Sequence, residues 1–320
     1  VEGGGNTAVA RSHSEEKHMT AISRRTFVGG SLAAVAAFRY GRAFAAGEPD
    51  IVDVQGTDPS KMVAAVFAAL GGIGKFVKKG DFVVLKPNAA FANPAEWGST
   101  THPQTVLAVA KACLEAKAKG VLILEFPQAK GEMCLKRCGL LEAMAALPAA
   151  KIKLLGSAGD FQKTEVKGGV SLKTTDVAKS LLSADVFISL PAAKAHYQSG
   201  VSFGLKNNMG LVFDRQIFHT ALDLHQAIAD LGLVVKPNLT IIDGTRALLS
   251  NGPAGPGDTA TPGRMVAGRH SASVDSYGLT LAKFNSKNMT PADVRHIELA
   301  GKAGLGEVDI AKLKVKKVSA

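Results

Sequence analysis

Short runs of branched and aliphatic residues recur along this chain and set its architecture. They are Phe82-Val83-Val84-Leu85, Val121-Leu122-Ile123-Leu124, Ile152–Leu155, Val186–Leu190 and Leu239-Thr240-Ile241-Ile242. Such runs have little room for a solvated face, so they read as strands buried on both sides of a parallel sheet. The stretches between them carry helical apolar spacing, as in Pro59–Phe76, 103–119, 132–147 and Ile217–Val235. Strand and helix in alternation predict an α/β fold, a mostly parallel sheet with flanking helices. We expect one domain over 46–320, with lobes at roughly 46–190 and 191–320 around a cleft. Residues 156–175 read as a hairpin or irregular excursion, Val177–Leu182 as a short helix and 250–263 as a Gly/Pro loop.

Composition narrows the function classes. Hydrophobic residues make up 46% of the chain and charged residues 20%, so the bulk of it can bury a core. No apolar run reaches the ~20 residues of a bilayer span, so no stable membrane span is expected. The net charge is +11, but the lysines are scattered, with a small C-terminal group at Lys312, Lys314, Lys316 and Lys317. No arginine stripe alternates with aromatics, so no nucleic-acid partner is expected. A basic pocket for a small anionic molecule fits better, because a few focused lysines suffice.

The first 45 residues read as a leader and an export signal. Ser23-Arg24-Arg25-Thr26-Phe27-Val28 precedes a weakly apolar run to Phe38 and then Ala43-Phe44-Ala45, a small-x-small cleavage pattern. The paired Arg24 and Arg25 mark the twin-arginine type. The expectation is export of a folded protein to the periplasm by the twin-arginine translocation machinery. Either Val1 or Met19 can be the start.

Polar residues stand at the carboxyl ends of the expected strands, where ligands of open α/β sheets bind. Lys86 and Asn88 follow the first run, Glu125 the second, Lys194 and His196 the fourth, and Asp243 the fifth. Lys86, Lys194 and Lys206 lie in segments too apolar for solvated faces. Such lysines need anions, whether Asp243, Asp275 or a ligand. Gly200, Gly204 and Gly210 would let backbone N–H groups approach the same anion.

Taken in order, these segments resemble the domain-of-unknown-function family 362. The resemblance rests on Lys86-Pro87-Asn88, Thr101-His102-Pro103, Leu190-Pro191-x-x-Lys194-x-His196 and Gly204-Leu205-Lys206-Asn207-x-x-Gly210. Further matches are Arg215…His219, Pro237–Asp243, Gly252-Pro253-x-Gly255 and Val274-Asp275. It covers roughly 51–315. Some members of that family carry iron–sulfur segments. This chain has only Cys113, Cys134 and Cys138, short of four thiolates, so no iron–sulfur cluster is expected.

The expected cleft is lined by Lys86, Asn88, His102, Lys194, His196, Lys206, Asn207, His219, Asp243 and Asp275. Lys194, His196 and Asp243 are the candidate catalytic residues. Lys86, Asn88, Lys206, Asn207 and Asp275 are the candidate ligand-binding residues. His102, His196, His219 and Asp243 are the candidate ligands of a divalent metal, gathered from separate segments. His270 could look into the cleft, and His296 is expected on the surface. An acid/base or redox enzyme is one reading. A non-catalytic periplasmic ligand- or metal-binding protein is a second. An accessory protein of a redox complex, working through Cys134 and Cys138, is a third.

Overall fold

A computed structural model describes residues 47–320. The Arg24–Arg25 signal lies outside the described residues. In chain order the strands are β1 (Ile51–Gln55), β2 (Phe82–Pro87), β3 (Gly120–Glu125), β4 (Ala150–Leu154), β5 (Phe161–Glu165), β6 (Thr174–Ala178), β7 (Val186–Leu190), β8 (Ala192–His196), β9 (Gly200–Ser202), β10 (Leu239–Leu248), β11 (Thr259–Ala260), β12 (Arg264–Gly268) and β13 (Val315–Ser319). The α-helices are α1 (Pro59–Ala69), α2 (Pro103–Glu115), α3 (Gly131–Arg137), α4 (Leu140–Ala145), α5 (Lys179–Leu182), α6 (Gly204–Asn207), α7 (Gln216–Thr220), α8 (Leu224–Leu231), α9 (Ser271–Gly278) and α10 (Arg295–Lys302).

The main sheet runs β13-β1-β12-β10-β7-β2-β3-β4, and the steps from β10 to β4 are all parallel. β12 lies antiparallel between β1 and β10. The fold is therefore α/β, a mixed sheet of mostly parallel strands flanked by helices. Alternate residues feed two apolar layers. Val83 and Leu85 join the layer of α1 and α2, while Val84 joins the layer of α8 and α9. Each such side chain, fully buried, contributes about 1.5–3 kcal/mol. That is why strands this short hold without polar faces. The sheet runs unbroken across residue 190, since β7 pairs with both β2 and β10.

Pro191 creates the opening. It ends β7, and the chain resumes as β8, which pairs with β10 and β9. β10 serves both: Leu239 and Thr240 pair with β7, and Ala247 and Leu248 pair with β8 after a register shift. Beyond Pro87 and Leu190 the sheet thus splits, and the ends of β2 and β3 face a gap walled by β8.

Several expected elements break where local chemistry offers a better end. Residues 132–147 form two helices, because Gly139 takes φ +78° between them. The expected helix Ile217–Val235 is also two. The Asp223 carboxylate accepts from the N–H groups of His225 and Gln226 and so starts α8 afresh. Val177 belongs to β6, antiparallel to β5, so the expected hairpin absorbs the start of the expected helix there. α9 is followed directly by a tighter turn at Leu279–Leu281. His296 is not on the surface. It is fully buried on α10 against the ring of His225, with centroids 5.5 Å apart.

Candidate functional site

The gap holds a cavity of about 690 Å³. Its lining comes from the end of β2 (Lys86, Asn88), the end of β3 (Glu125) and β8 with its turn (Lys194, His196, Tyr197). It is completed by α6 (Lys206, Asn207) and the segment through Arg215 and His219. Parallel neighbours bring the ends of β2 and β3 to one rim, which is why residues 86 and 125 meet.

Lys86 is buried, and its Nζ sits 2.9 Å from Glu125 Oε1. The ammonium also donates to the Pro87 carbonyl at 2.5 Å. Glu125 accepts two further hydrogen bonds from the backbone: the N–H of Phe126 at its Oε1 and the N–H of Ala89 at its Oε2 fix the carboxylate in place. Burial pushes the Lys86 pKa down, and Glu125 opposes that shift. Gly210 makes room for this pair. A Cβ there would lie 2.7 Å from Lys86 Cε.

Lys194 is equally buried but has no carboxylate partner among the described residues. Its Nζ donates to Asn88 Oδ1 at 2.9 Å and to the Ser99 carbonyl at 2.6 Å. The Phe91 ring lies 4.9 Å from the same nitrogen. Asn88 Nδ2 donates to Asn207 Oδ1 at 3.0 Å, and Asn207 Nδ2 donates to the Lys86 carbonyl at 3.2 Å. The two asparagines therefore link the lysines in one chain of hydrogen bonds. Desolvation first, then the Lys206 and Lys86 charges, push Lys194 down to about 7 against the opposing charge of Glu125. Lys206 is brought down to about 8 by burial and then by Arg215. Among the described residues no carboxylate forms an ion pair with Lys206. Arg215 lies 3.9 Å over the Phe126 ring and donates to the carbonyls of Phe126 and Pro127.

The histidines divide. His196 lines the cavity, and its Nδ1 accepts the N–H groups of Gln198 and Ser199 at 3.1 and 3.3 Å. A neutral imidazole has one lone pair, so its proton sits on Nε2, which is a donor. Burial first, then the Lys206 and Lys194 charges, push the His196 pKa down to about 2. His219 lies parallel to His196, with ring centroids 6.4 Å apart, and its buried Nδ1 has no partner among the described residues. His102 does not line the cavity. It caps α2, with its Nδ1 accepting from the Gln104 N–H. His270 is exposed and also outside the cavity.

Two expected site residues turn out to hold the frame. Asp243 is saturated: its Oδ2 accepts from the His102 N–H and Thr105 Oγ1, and its Oδ1 from the N–H and Oγ1 of Thr245. It ties β10 to the start of α2. Asp275 accepts the N–H groups of Gly204 and Leu205, both at 2.8 Å, and so caps the turn that carries Lys206 and Asn207. Burial raises its pKa to about 7. The Gly204 N–H is therefore spent on Asp275 rather than offered to a ligand. The expected metal set is not assembled: His102 and Asp243 serve helix α2, and the lone pair of His196 goes to the backbone. Among the described residues no three His, Cys, Asp or Glu side chains gather to hold a metal ion.

The three cysteines are free and buried. Burial raises Cys113 to about 12 and Cys138 to about 11, and raises Cys134 too. These are thiols packed in the core, the inert kind. Glu125 and Arg215 belong to the site, although in the sequence they show only as a strand end and a motif position. Phe91, which faces Lys194, sits in a loop with no periodic signal.

Comparison with known proteins follows the same residues. The family model described as "Domain of unknown function (DUF362)" matches residues 83–280, a span that contains every cavity residue named above. The thylakoid-associated protein sll1697 of Synechocystis sp. is 29% identical over 251 residues, which is 74% of this chain and 72% of that protein. Among solved structures, the lactate racemase apoprotein from Thermoanaerobacterium thermosaccharolyticum aligns over 63% of this chain and 52% of its own. That alignment has 9% identity and a TM-score of 0.44. No described helix is long and apolar enough to cross a membrane.

Proposed function

The chain belongs to the DUF362 family, and from that footing we propose that its cavity binds a small anionic molecule, with Lys194 as the group that gives and takes a proton. One observation carries the reading. Lys194, Lys206 and Arg215 share the cavity, and its one buried carboxylate, Glu125, is already paired with Lys86. Lys194 is buried and Lys206 and Arg215 are half-buried; cations withdrawn from water without an ion-pair partner are costly, and a bound carboxylate or phosphate offsets that cost. His196 adds an N–H donor at Nε2 to the same ligand. Lys194 suits acid/base work because its pKa lies near neutrality, where both protonation states are accessible. His196 is displaced from that role, since its lone pair is used.

Arg24 and Arg25 support export by the twin-arginine route, which would put this cavity in the periplasm. The buried thiols give the redox-accessory reading no working part. A catalyst and a pure binder share the cavity and differ in turnover.

The test is calorimetry with mono- and dicarboxylates and phosphate esters. Binding is expected near pH 6.5, and Lys206→Met should weaken it by at least about tenfold, ~1.4 kcal/mol. Affinity should fall as pH rises through about 7 and about 8, because Lys194 and Lys206 then lose the charge the anion needs. If no anion binds, the reading fails. If anions bind and Lys194→Met changes only affinity, with no turnover of any bound compound, the protein is a binder.

A further inference from the structure

We propose that Lys194 is an amine nucleophile, and that the cavity's ligand is a small oxo acid whose carbonyl carbon forms an imine with Lys194 Nζ. This rests on the anion-binding reading above and names the class of anion. The geometry supplies the argument. A neutral amine has two hydrogens and one lone pair. Lys194 finds two acceptors, Asn88 Oδ1 at 2.9 Å and the Ser99 carbonyl at 2.6 Å. With both hydrogens so used, the lone pair is what remains for the cavity. Asn88 cannot rotate to offer its amide nitrogen instead, because that nitrogen donates to Asn207. The amine is therefore oriented, as a nucleophile must be.

The surroundings favour the neutral form. The Nζ is buried, has no carboxylate partner among the described residues, and shares the cavity with the Lys206 and Lys86 cations. A lysine desolvated beside other cations is the usual setting for imine chemistry with carbonyl compounds. Lys86 shows the contrast within the same cavity: a carboxylate at 2.9 Å keeps it an ion-pair partner. Lys206 and Arg215 are placed to hold the ligand's carboxylate, and the carbonyl beside that carboxylate then falls to Lys194.

The step balances without any redox partner. The Nζ lone pair forms the C–N bond, and one proton passes from nitrogen to the carbonyl oxygen, giving a carbinolamine. The Lys206 ammonium gives a proton to that hydroxyl, which leaves as water, and the C–N bond becomes a protonated imine. One carbonyl oxygen leaves as water, one proton is taken up, and no electrons are exchanged.

The experiment uses the purified full chain with glyoxylate, pyruvate, 2-oxobutyrate and 2-oxoglutarate, each beside its 2-hydroxy counterpart. Binding is read by calorimetry, and the imine is trapped with cyanoborohydride and located by peptide mapping. The expected result is a label on Lys194 equal to the oxo acid less one oxygen atom. It should form more than about tenfold faster than at surface lysines, which are almost wholly protonated at pH 7.5. Hydroxy acids should bind and leave no label. Labelling should be lost in Lys194→Met and Lys194→Gln, with circular dichroism to show that each is folded, but the map of the unmutated chain decides by itself. Binding of oxo acids without a label on Lys194, or with a label on Lys206 instead, overturns the imine and leaves the anion reading standing. Binding of neither acid series overturns both.

Discussion

Two lysines of one cavity, both with about 1% of their surface exposed, are held by different partners. Lys86 stands on the cavity floor, where β2 and β3 bring Glu125 to it. Lys194 stands on the wall made by β8, where its partners are an amide oxygen and a carbonyl. The difference follows from strand order. A parallel neighbour ending in a carboxylate gives a charge partner, whereas a strand turned aside by Pro191 brings its lysine to an asparagine amide and a backbone carbonyl. Equal burial therefore yields a structural ion pair in one place and a titratable amine in the other.

The largest effect should come from splitting the floor pair. Glu125→Ala removes the acceptor of Lys86 and of two backbone N–H groups, and should cost about 3–5 kcal/mol in denaturant unfolding. Lys194→Met should cost less, about 1–2 kcal/mol, since it strands two acceptors but also removes a desolvated amine. Equal losses at the two sites would erase the distinction. The sign of the pH dependence sharpens it. The folded pKa of Lys194, about 7, lies below the ordinary lysine value of 10.5, so the folded state disfavours its proton. Its stability is fully present above the unfolded pKa and is lost as pH falls through the folded one. Against Lys194→Met, the unmutated chain should gain stability between pH 7 and about 10.

A middle-sized effect should fall on the floor alone. Gly210→Ala places a methyl 2.7 Å from Lys86 Cε and 3.0 Å from its Nζ. Lys86 cannot yield easily, being held by Glu125 and the Pro87 carbonyl. Overpacking should cost about 1–3 kcal/mol, measured by thermal unfolding. The trapping rate at Lys194 should change far less. A larger change at Lys194 than in stability would mean that floor and wall are one coupled unit.

The strands and their polar ends were legible because burial on both faces leaves a plain mark, as in Phe82–Leu85 and Val186–Leu190. So were Lys86, Asn88, Lys194, Lys206 and Asn207, which the fold brings to one cavity. The roles of the acids were not. Asp243 follows an apolar run in the same way as Glu125, and Asp275 sits inside helix α9. Only the partners decide that Asp243 anchors α2, Asp275 caps α6 and Glu125 faces a lysine. The histidines misled for the same reason. A lone pair spent on backbone N–H groups, as in His196 and His102, has no sequence signature. Helix breaks at Asp223 and Gly139 were readable as cap chemistry, but the apolar periodicity running through them masked both.

The smallest effect should come from the ring beside the wall lysine. Phe91 lies 4.9 Å from Lys194 Nζ, and an aromatic face attracts the cation but not the neutral amine. Phe91→Leu should therefore cost about 0.5–1 kcal/mol beyond lost packing only where Lys194 is protonated, below about 7. Above that pH the packing loss alone should remain. Removing the ring also lowers the Lys194 pKa further, so imine trapping should reach its plateau at a lower pH in Phe91→Leu. Lys86 has no ring in this position, and its ion pair should be indifferent to the change. A loss of stability that is the same at pH 6 and pH 9 would show that Lys194 does not titrate beside this ring, and the contrast with Lys86 would then lose its electrostatic basis.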